Sequence, residues 1–288
     1  MAKDTHPIEQ VCTWFAENAR PLPWRGATPW GVLVSEFMLQ QTPVARVEPV
    51  WRSWLDRWPE PSDLAAAPAG EAIRAWGRLG YPRRAMRLHA AAVVITEQHG
   101  GQVPSDEGHL RALPGVGEYT TAAVRAFAFG LPAVVLDVNV RRVISRAWNG
   151  VYEPANHLTS VERALASTLT EAARDPAQWA AGSMELGAVV CTKREPDCPS
   201  CPLQATCAWQ HAGAPQPQAA TRRQPRYEGS DRQARGRILA ALRDADEPLA
   251  RTPVLAEVPD TEQARRALDS LLRDGLVIEK GDELHLPE

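Results

Sequence analysis

The chain has 288 residues, of which 44% are hydrophobic and 23% charged, with a net charge of −3; this balance suits two or three globular domains and excludes a disordered or strongly basic protein. No apolar run approaches the roughly 20 residues a membrane helix requires, and the opening MAKDTHPIEQ lacks the basic-then-apolar layout of a secretory signal, so a cytoplasmic protein with no membrane partner is expected. Without a global basic field, a nucleic-acid partner has to be gripped by local patches.

Up to residue 210 helical periodicity dominates and alternating strand patterns are scarce. Thr28-Pro29 is an N-cap and first-turn signal for a helix through VLVSEFMLQQT, residues 32–42, which carries a single carboxylate. Of the residues three and four positions from Glu36, Val32, Leu33 and Leu39 are apolar and only Gln40 is polar. Further helices are predicted over about 44–57, 69–77, 83–98, 118–128, 138–149, 158–173 and 178–190, with punctuation at Pro59-Glu60-Pro61 and Gly100-Gly101.

LRALPGVGEYTTAAV, residues 110–124, reads as helix, tight turn and helix. The Gly115-Val116-Gly117 turn lets backbone approach a ligand closely, and Gly117 precedes a helix N-terminus whose amides and dipole suit a phosphate. The same spacing equally serves a plain helix–helix turn. In GLPAVVLDVNVRRVISRAW, Asp137 stands at a helix start, where an N-cap is the plainest role; Glu36 by itself could be a glutamate paired with a buried arginine. Together they have the layout of acid-plus-anion chemistry, one carboxyl raised in pKa by apolar surroundings and one held ionised by helix-start N–H groups. Hydrolysis at a sugar carbon through an oxocarbenium-like state divides its labour this way.

Cys191, Cys198, Cys201 and Cys207 fall within CTKREPDCPSCPLQATC, spaced x6, x2 and x5, while Cys12 stands alone. Disulfides are not expected in a reducing compartment. Zinc and an iron–sulfur cluster both remain open on spacing, the lone C-x2-C knuckle disfavouring a zinc ribbon. From His211 to Arg226 the text HAGAPQPQAATRRQPR reads as a linker. Beyond it RGRILAALRDADEPLA and RTPVLAEV read as helices, TEQARRALDSLLRDGLV as a longer one, and VIEKGDELHLP as a hairpin turning at Gly281-Asp282. Three helices and a terminal wing make a winged-helix-like module.

LPWR (22–25), SEFMLQQTPV (35–44), WGRLGYPRRAMRLH (76–89), LPGVGEYT (113–120), LDVNVRRV (136–143), MELGAVVC (184–191) and the C-x6-C-x2-C-x5-C loop together resemble the MutY-type adenine DNA glycosylases, members of the helix-hairpin-helix superfamily that includes endonuclease III. The resemblance covers roughly residues 6–210. It implies a mainly α, two-lobed helix-hairpin-helix glycosylase fold, with 1–25 and 131–210 as the iron–sulfur cluster lobe and 26–130 as a six-helix barrel lobe bearing the hairpin; outside it, composition and pattern make 211–226 the linker and 227–288 the winged-helix-like module. Glu36 and Asp137 are then expected to face each other across a DNA-binding cleft. The implied reaction is hydrolysis of the N-glycosidic bond of adenine mispaired with 8-oxoguanine or guanine, after the adenine is flipped out. The implied partner is double-stranded DNA carrying A:8-oxoG or A:G, bound by a monomer working with the chromosome in the cytoplasm.

Roles follow position by position. Glu36 matches the general acid that protonates adenine N7, Asp137 the carboxylate that stabilises the sugar cation, and Asn139 its polar support. Tyr119 stands where lyase members carry a catalytic lysine, so no Schiff base and no strand cleavage are expected. Trp24, Arg25, Leu39, Val44 and Glu185 resemble the lining of the adenine pocket. Gln41, Thr42 and Leu79 resemble residues beside the opposite oxidised guanine, with Tyr81 as the wedge that enters the base stack; Pro82 departs from a second tyrosine common there. Gly115, Val116, Gly117, Lys193 and Arg194 resemble phosphate contacts, and the four clustered cysteines resemble the ligands of a [4Fe–4S] cluster. A thymine or uracil mismatch glycosylase of the same superfamily is the alternative enzyme, and a non-catalytic DNA-binding regulator the alternative of another class. The C-terminus departs most: many members carry a pyrophosphohydrolase-like domain that inspects 8-oxoguanine. Here a short module follows six arginines set against Glu228 and Asp231 between positions 222 and 237. Added DNA affinity, a stabilising appendage and a protein-docking module are its open roles.

Overall fold

The computed structural model describes residues 6–216 and 226–288, so positions 217–225 of the expected linker lie outside the described residues. In chain order the elements are α1 (Pro7–Asn18), α2 (Pro29–Leu39), α3 (Val44–Arg57), α4 (Pro61–Ala66), α5 (Ala69–Trp76), α6 (Arg83–Gln98), α7 (Glu107–Ala112), α8 (Glu118–Phe129), α9 (Val138–Ala147), α10 (Ser160–Ala172), α11 (Pro176–Val189) and α12 (Ala208–His211). The C-terminal part adds α13 (Asp231–Asp244), β1 (Leu249–Ala250), α14 (Arg251–Ala256), α15 (Thr261–Arg273), β2 (Ile278–Lys280) and β3 (Glu283–His285). The fold is mainly α, as expected, and no helix among the described residues is long and apolar enough to cross a membrane.

Two compact units emerge. Among the described residues one comprises those through Val32, Ser105–Arg111 and those from Val116 to 216. Here α11 packs on α1 and α9, burying Ile8, Val11, Val140, Ile144, Trp179 and Leu186. Although α8 was expected in the six-helix lobe, it groups with this unit, because Ala123 and Ala126 pack with Ala133, Val135 and Ala180 in a cluster of small side chains. Alanine and glycine let backbones approach closely, and Gly187 on α11 lies so near α9 that an added Cβ would fall 2.7 Å from Asn139.

The other unit comprises Leu33–Pro104, Ala112–Gly115 and the described residues from 226 onward. Its α4 and α5 pack on α6 around Trp54, Trp58 and Trp76, whose rings meet edge-on. Pro61, read as punctuation in the sequence, opens α4 instead; its missing N–H is harmless at a first turn, and the Glu60 amide donates to Asp63 Oδ2 at 2.9 Å. The C-terminal part forms three helices and a three-stranded antiparallel sheet of order β1-β3-β2, turning between β2 and β3 at Gly281-Asp282. The helix expected through Ala250 stops at Asp244, since Pro248 cannot continue it and Leu249 pairs with Leu284.

Candidate active site

In α2 the whole stretch from Trp30 to Met38 is buried, Glu36 included at 5% exposure. A helix apolar on nearly every face belongs in a core, so the dry setting expected for Glu36 is present. The Thr28 hydroxyl accepts from the Gly31 amide at 3.2 Å, the start signal read from sequence. The other end of α2 is closed by Arg84 of α6, a buried arginine that the sequence reading did not single out. Its guanidinium donates to the Phe37 carbonyl at 2.9 Å, the Met38 carbonyl at 3.2 Å and the Gln40 carbonyl, to Thr42 Oγ1 at 3.1 Å and to the Gly80 carbonyl at 3.1 Å. One side chain thus ties the Gln40–Thr42 turn to the loop that carries Leu79 and Tyr81. Burial lowers the Arg84 pKa to about 10, which leaves it charged at neutral pH. Gln41 is exposed in the left-handed region at φ 56°, Thr42 is buried and also reaches the Leu79 carbonyl at 3.4 Å, and Leu79 is buried while Tyr81 is 50% exposed. Leu39 and Val44, flanking this turn, are half-buried.

Gly115 adopts φ +81°, and an added Cβ would sit 2.8 Å from the Arg87 Cβ and 2.9 Å from the Phe37 ring, so conformation and packing both demand glycine there. Val116 is buried and anchors the turn. Gly117 is extended, exposed and meets nothing within 4 Å of an added Cβ. As a glycine it offers no side chain to cap the α8 amides it precedes. Tyr119 lies half-buried on the first turn of α8 against the small-residue cluster.

Asp137 caps α9, accepting the Asn139 amide at 2.9 Å and the Val140 amide at 2.7 Å on Oδ1, with the Asn139 side-chain amide at 2.7 Å on Oδ2. The Asn139 side-chain Oδ1 accepts from Arg142 at 2.7 Å, and Arg142 also donates to the Gly187 backbone carbonyl at 2.6 Å and the Cys191 backbone carbonyl at 2.7 Å. Asp137 is therefore fixed through Asn139 and Arg142 to α11 and the cysteine loop. Its electrostatics differ in sign from the expectation. Burial pushes its carboxyl above the ordinary carboxylate range, and the three donors with the Arg142 charge pull down without cancelling that.

Glu185, 3% exposed, spends both oxygens inside the protein: Arg20 donates to it at 2.6 and 2.8 Å, the Arg20 amide at 3.1 Å and Arg25 at 2.9 Å. Burial alone would raise its pKa, but the Arg20 hydrogen bonds and both guanidinium charges bring it below the usual value. Arg25 also lies over the Phe15 ring and donates to the Arg20 carbonyl, while Trp24 beside it is buried. Arg20, like Arg84, lay unmarked in the sequence, because nothing local says which arginine turns inward.

Cys191, Cys198, Cys201 and Cys207 line one cavity together with Arg146, Trp209 and Gln210. No three His, Cys, Asp or Glu side chains among the described residues lie close enough to share a single ion. Tetrahedral zinc needs that convergence, with Zn–S of about 2.3 Å; a cluster takes one thiolate per iron and does not. Arg146 is 1% exposed yet meets carbonyls of Tyr152, Thr192 and Lys193 rather than a carboxylate, and its Nη1 lies 3.4 Å from Cys191 Sγ. A buried cation with no acidic partner among the described residues, plus the Gln210 amide 3.0 Å from Cys198 Sγ, suits an anionic sulfur-ligated group. Lys193 and Arg194 are exposed, Lys193 within 3.4 Å of Glu153.

Residues 34–167 match the HhH-GPD superfamily of base excision DNA repair proteins. The chain is 47% identical to an adenine DNA glycosylase of Mycolicibacterium smegmatis over 279 residues, spanning 96% of this chain and 94% of that one. It is 38% identical to the human adenine DNA glycosylase over 208 residues, spanning 68% of this chain and 38% of that one. A solved thermostable thymine-DNA glycosylase superposes with a TM-score of 0.65 at 29% identity, covering 71% of this chain and 95% of that one. With the buried carboxylate of α2, the capped aspartate of α9 and the four-cysteine cavity, these likenesses lead to one conclusion: the chain belongs to the adenine DNA glycosylase family of the HhH-GPD superfamily.

Proposed function

We propose that the protein excises adenine mispaired with 8-oxoguanine or guanine in duplex DNA, as a monofunctional glycosylase acting as a monomer. The observation that carries this reading is Glu36, a carboxyl at 5% exposure inside an apolar helix. Glu36 holds a proton and delivers it to adenine N7. The C1′–N9 bond breaks with its electron pair leaving on the purine, Asp137 steadies the positive charge at C1′, and water adds there to leave an abasic site and free adenine. Asn139 keeps the Asp137 carboxylate aimed. Tyr119 offers no amine, so the sugar–phosphate backbone stays intact. The amides of Gly115, Val116 and Gly117 hold a backbone phosphate, with Lys193 and Arg194 as further contacts. Trp24, Arg25, Leu39, Val44 and Glu185 shape the pocket for the extruded base, Glu185 through the arginines it holds. Gln41, Thr42 and Leu79 face the opposite guanine, and Tyr81 fills the gap in the stack.

The cysteine cavity takes a [4Fe–4S] cluster, supported by four thiols that share a cavity without the convergence a lone ion needs. When bound, the cluster supplies four iron–thiolate cross-links that fix the loop from 191 to 207 against α9.

Base release from an 8-oxoG:A duplex, measured under single turnover with the wild type, Glu36→Gln and Asp137→Asn, tests the assignment. Loss of release in both variants is expected. Retained release with Glu36→Gln sinks the acid role, and excision of thymine but not adenine from mismatched duplexes assigns the chain to the thymine-directed branch instead.

A further inference from the structure

The segment from Gly77 to Tyr81 is held as tightly as a helix although it is a loop. Four consecutive carbonyls are each taken by a side chain. Arg46 donates to the Arg78 carbonyl, the Thr42 hydroxyl reaches the Leu79 carbonyl at 3.4 Å, and the Gly80 carbonyl accepts from Trp76 Nε1 at 2.9 Å and Arg84 at 3.1 Å. The first carbonyl, that of Gly77, is held from the C-terminal module: Arg243 Nη1 donates to it at 2.7 Å. These bonds present Tyr81, half exposed and in the left-handed region at φ 49°. That conformation is unfavourable for a tyrosine and persists only where the surroundings impose it.

The module is built onto α5 at both ends. Arg74 of α5 donates to the Arg243 carbonyl at the end of α13, while Arg243 closes the end of α5 in return. At the start of α5 the Gly70 amide donates to the Pro287 carbonyl at 2.7 Å, and a Cβ on Gly70 would come within 2.5 Å of that same oxygen. Ile73 of α5 belongs to the module's own core with Ile238, Leu242, Leu271, Leu284 and Leu286, and Arg83, two residues beyond Tyr81, lies 3.3 Å from Asp274. The charge of the module argues against a second DNA-reading surface. Residues 226–288 hold ten Lys and Arg against fourteen Asp and Glu, and the exposed face of α15 mixes Arg265, Arg266 and Arg273 with Glu262 and Asp269. An acidic surface repels phosphates.

We propose that the C-terminal module is a brace for the loop that enters the base stack: by holding the Gly77 carbonyl, Arg243 sets where Tyr81 stands, so the module acts through placement of that side chain and not through contacts of its own with DNA. Arg243 is a positioning residue. The inference rests on the reading of Tyr81 as the wedge, and its test separates the two.

Full-length Arg243→Ala, Arg243→Lys and Tyr81→Ala are compared with the wild type in single-turnover adenine release, in duplex affinity across a salt series, and on a second duplex whose pairs flanking the mismatch are left unpaired. Losing one charge-assisted hydrogen bond is expected to slow release by Arg243→Ala about tenfold on the fully paired duplex. Affinity and its salt slope stay unchanged, and the defect shrinks on the pre-opened duplex, where little unstacking remains to be done. Arg243→Lys keeps a donor and recovers part of the rate, and Tyr81→Ala follows the same pattern. Wild-type behaviour of Arg243→Ala beside a slow Tyr81→Ala overturns the brace. A Tyr81→Ala that releases adenine normally overturns the wedge beneath it. Arg265→Glu combined with Arg273→Glu tests for direct reading, and a lowered affinity and salt slope in that variant also overturns the proposal. Melting curves check folding; should Arg243→Ala lack a cooperative transition, Arg243→Met, which keeps an apolar stem but no donor, carries the same comparison.

Discussion

Asn139→Ala isolates the electrostatic role of the α9 cap. The Asn139 side chain supplies one of three hydrogen bonds to the Asp137 carboxylate, at 2.7 Å on Oδ2, while the backbone amides of Asn139 and Val140 both donate to Oδ1. A hydrogen bond to an ionised acceptor contributes about 1.5–3 kcal/mol. Asp137 is half-buried, so water replaces part of the loss and the lower figure applies; about 1.5 kcal/mol is about one pKa unit. The sign follows from which form is favoured. Burial already raises the Asp137 pKa, and removing a donor to the anion raises it further. The step needs the anion, so the acidic limb of the single-turnover rate against pH should move up by about one unit, with the rate near neutrality falling less than the rate in acid. Arg142 keeps its carbonyl partners at Gly187 and Cys191, so the melting transition should shift little. An acidic limb that stays in place while the overall rate drops at every pH would refute the reasoning and assign Asn139 to packing alone.

Three further outcomes are expected. Gly187→Ala forces a Cβ to within 2.7 Å of Asn139 and should destabilise by about 1–3 kcal/mol in urea unfolding, with release impaired through the displaced α9 cap. Glu185→Gln leaves Arg20 and Arg25 without their anion; because Arg20 is 40% exposed, the cost is set at about 2 kcal/mol, below that of a fully buried pair. Since the folded Glu185 pKa is lowered, its stabilisation is present above the usual carboxylate range and lost as pH falls through the depressed value, so wild type and variant melting temperatures should converge in acid. Cys198→Ser should lower iron and acid-labile sulfide together and expose the 191–207 loop to protease; zinc recovered in place of iron would refute the cluster.

Much of the candidate site was legible in the chain because it rests on local pattern. An apolar stretch around Glu36 predicts dryness, an aspartate before a helix predicts capping, glycines around Val116 predict a tight turn, and thiols this closely spaced can meet whatever the rest of the fold does. The arginines were not legible. Arg83 and Arg84 are neighbours, yet only Arg84 turns inward to carbonyls, while Arg83 is exposed beside Asp274. Sequence gives the same side chain two addresses, and burial alone selects one.

The sequence by itself determined the helical elements, the caps, the cysteine loop and the family, since each depends on residues within a turn or two or on motifs in order. Only the tertiary structure decided that Arg84 closes α2 from 47 positions away and that Arg243 holds Gly77 from 166 positions away. It also decided that Asp137 is raised rather than lowered in pKa. Hydrogen-bond donors can be read from neighbours along the chain, but loss of water depends on what distant segments bring to cover them.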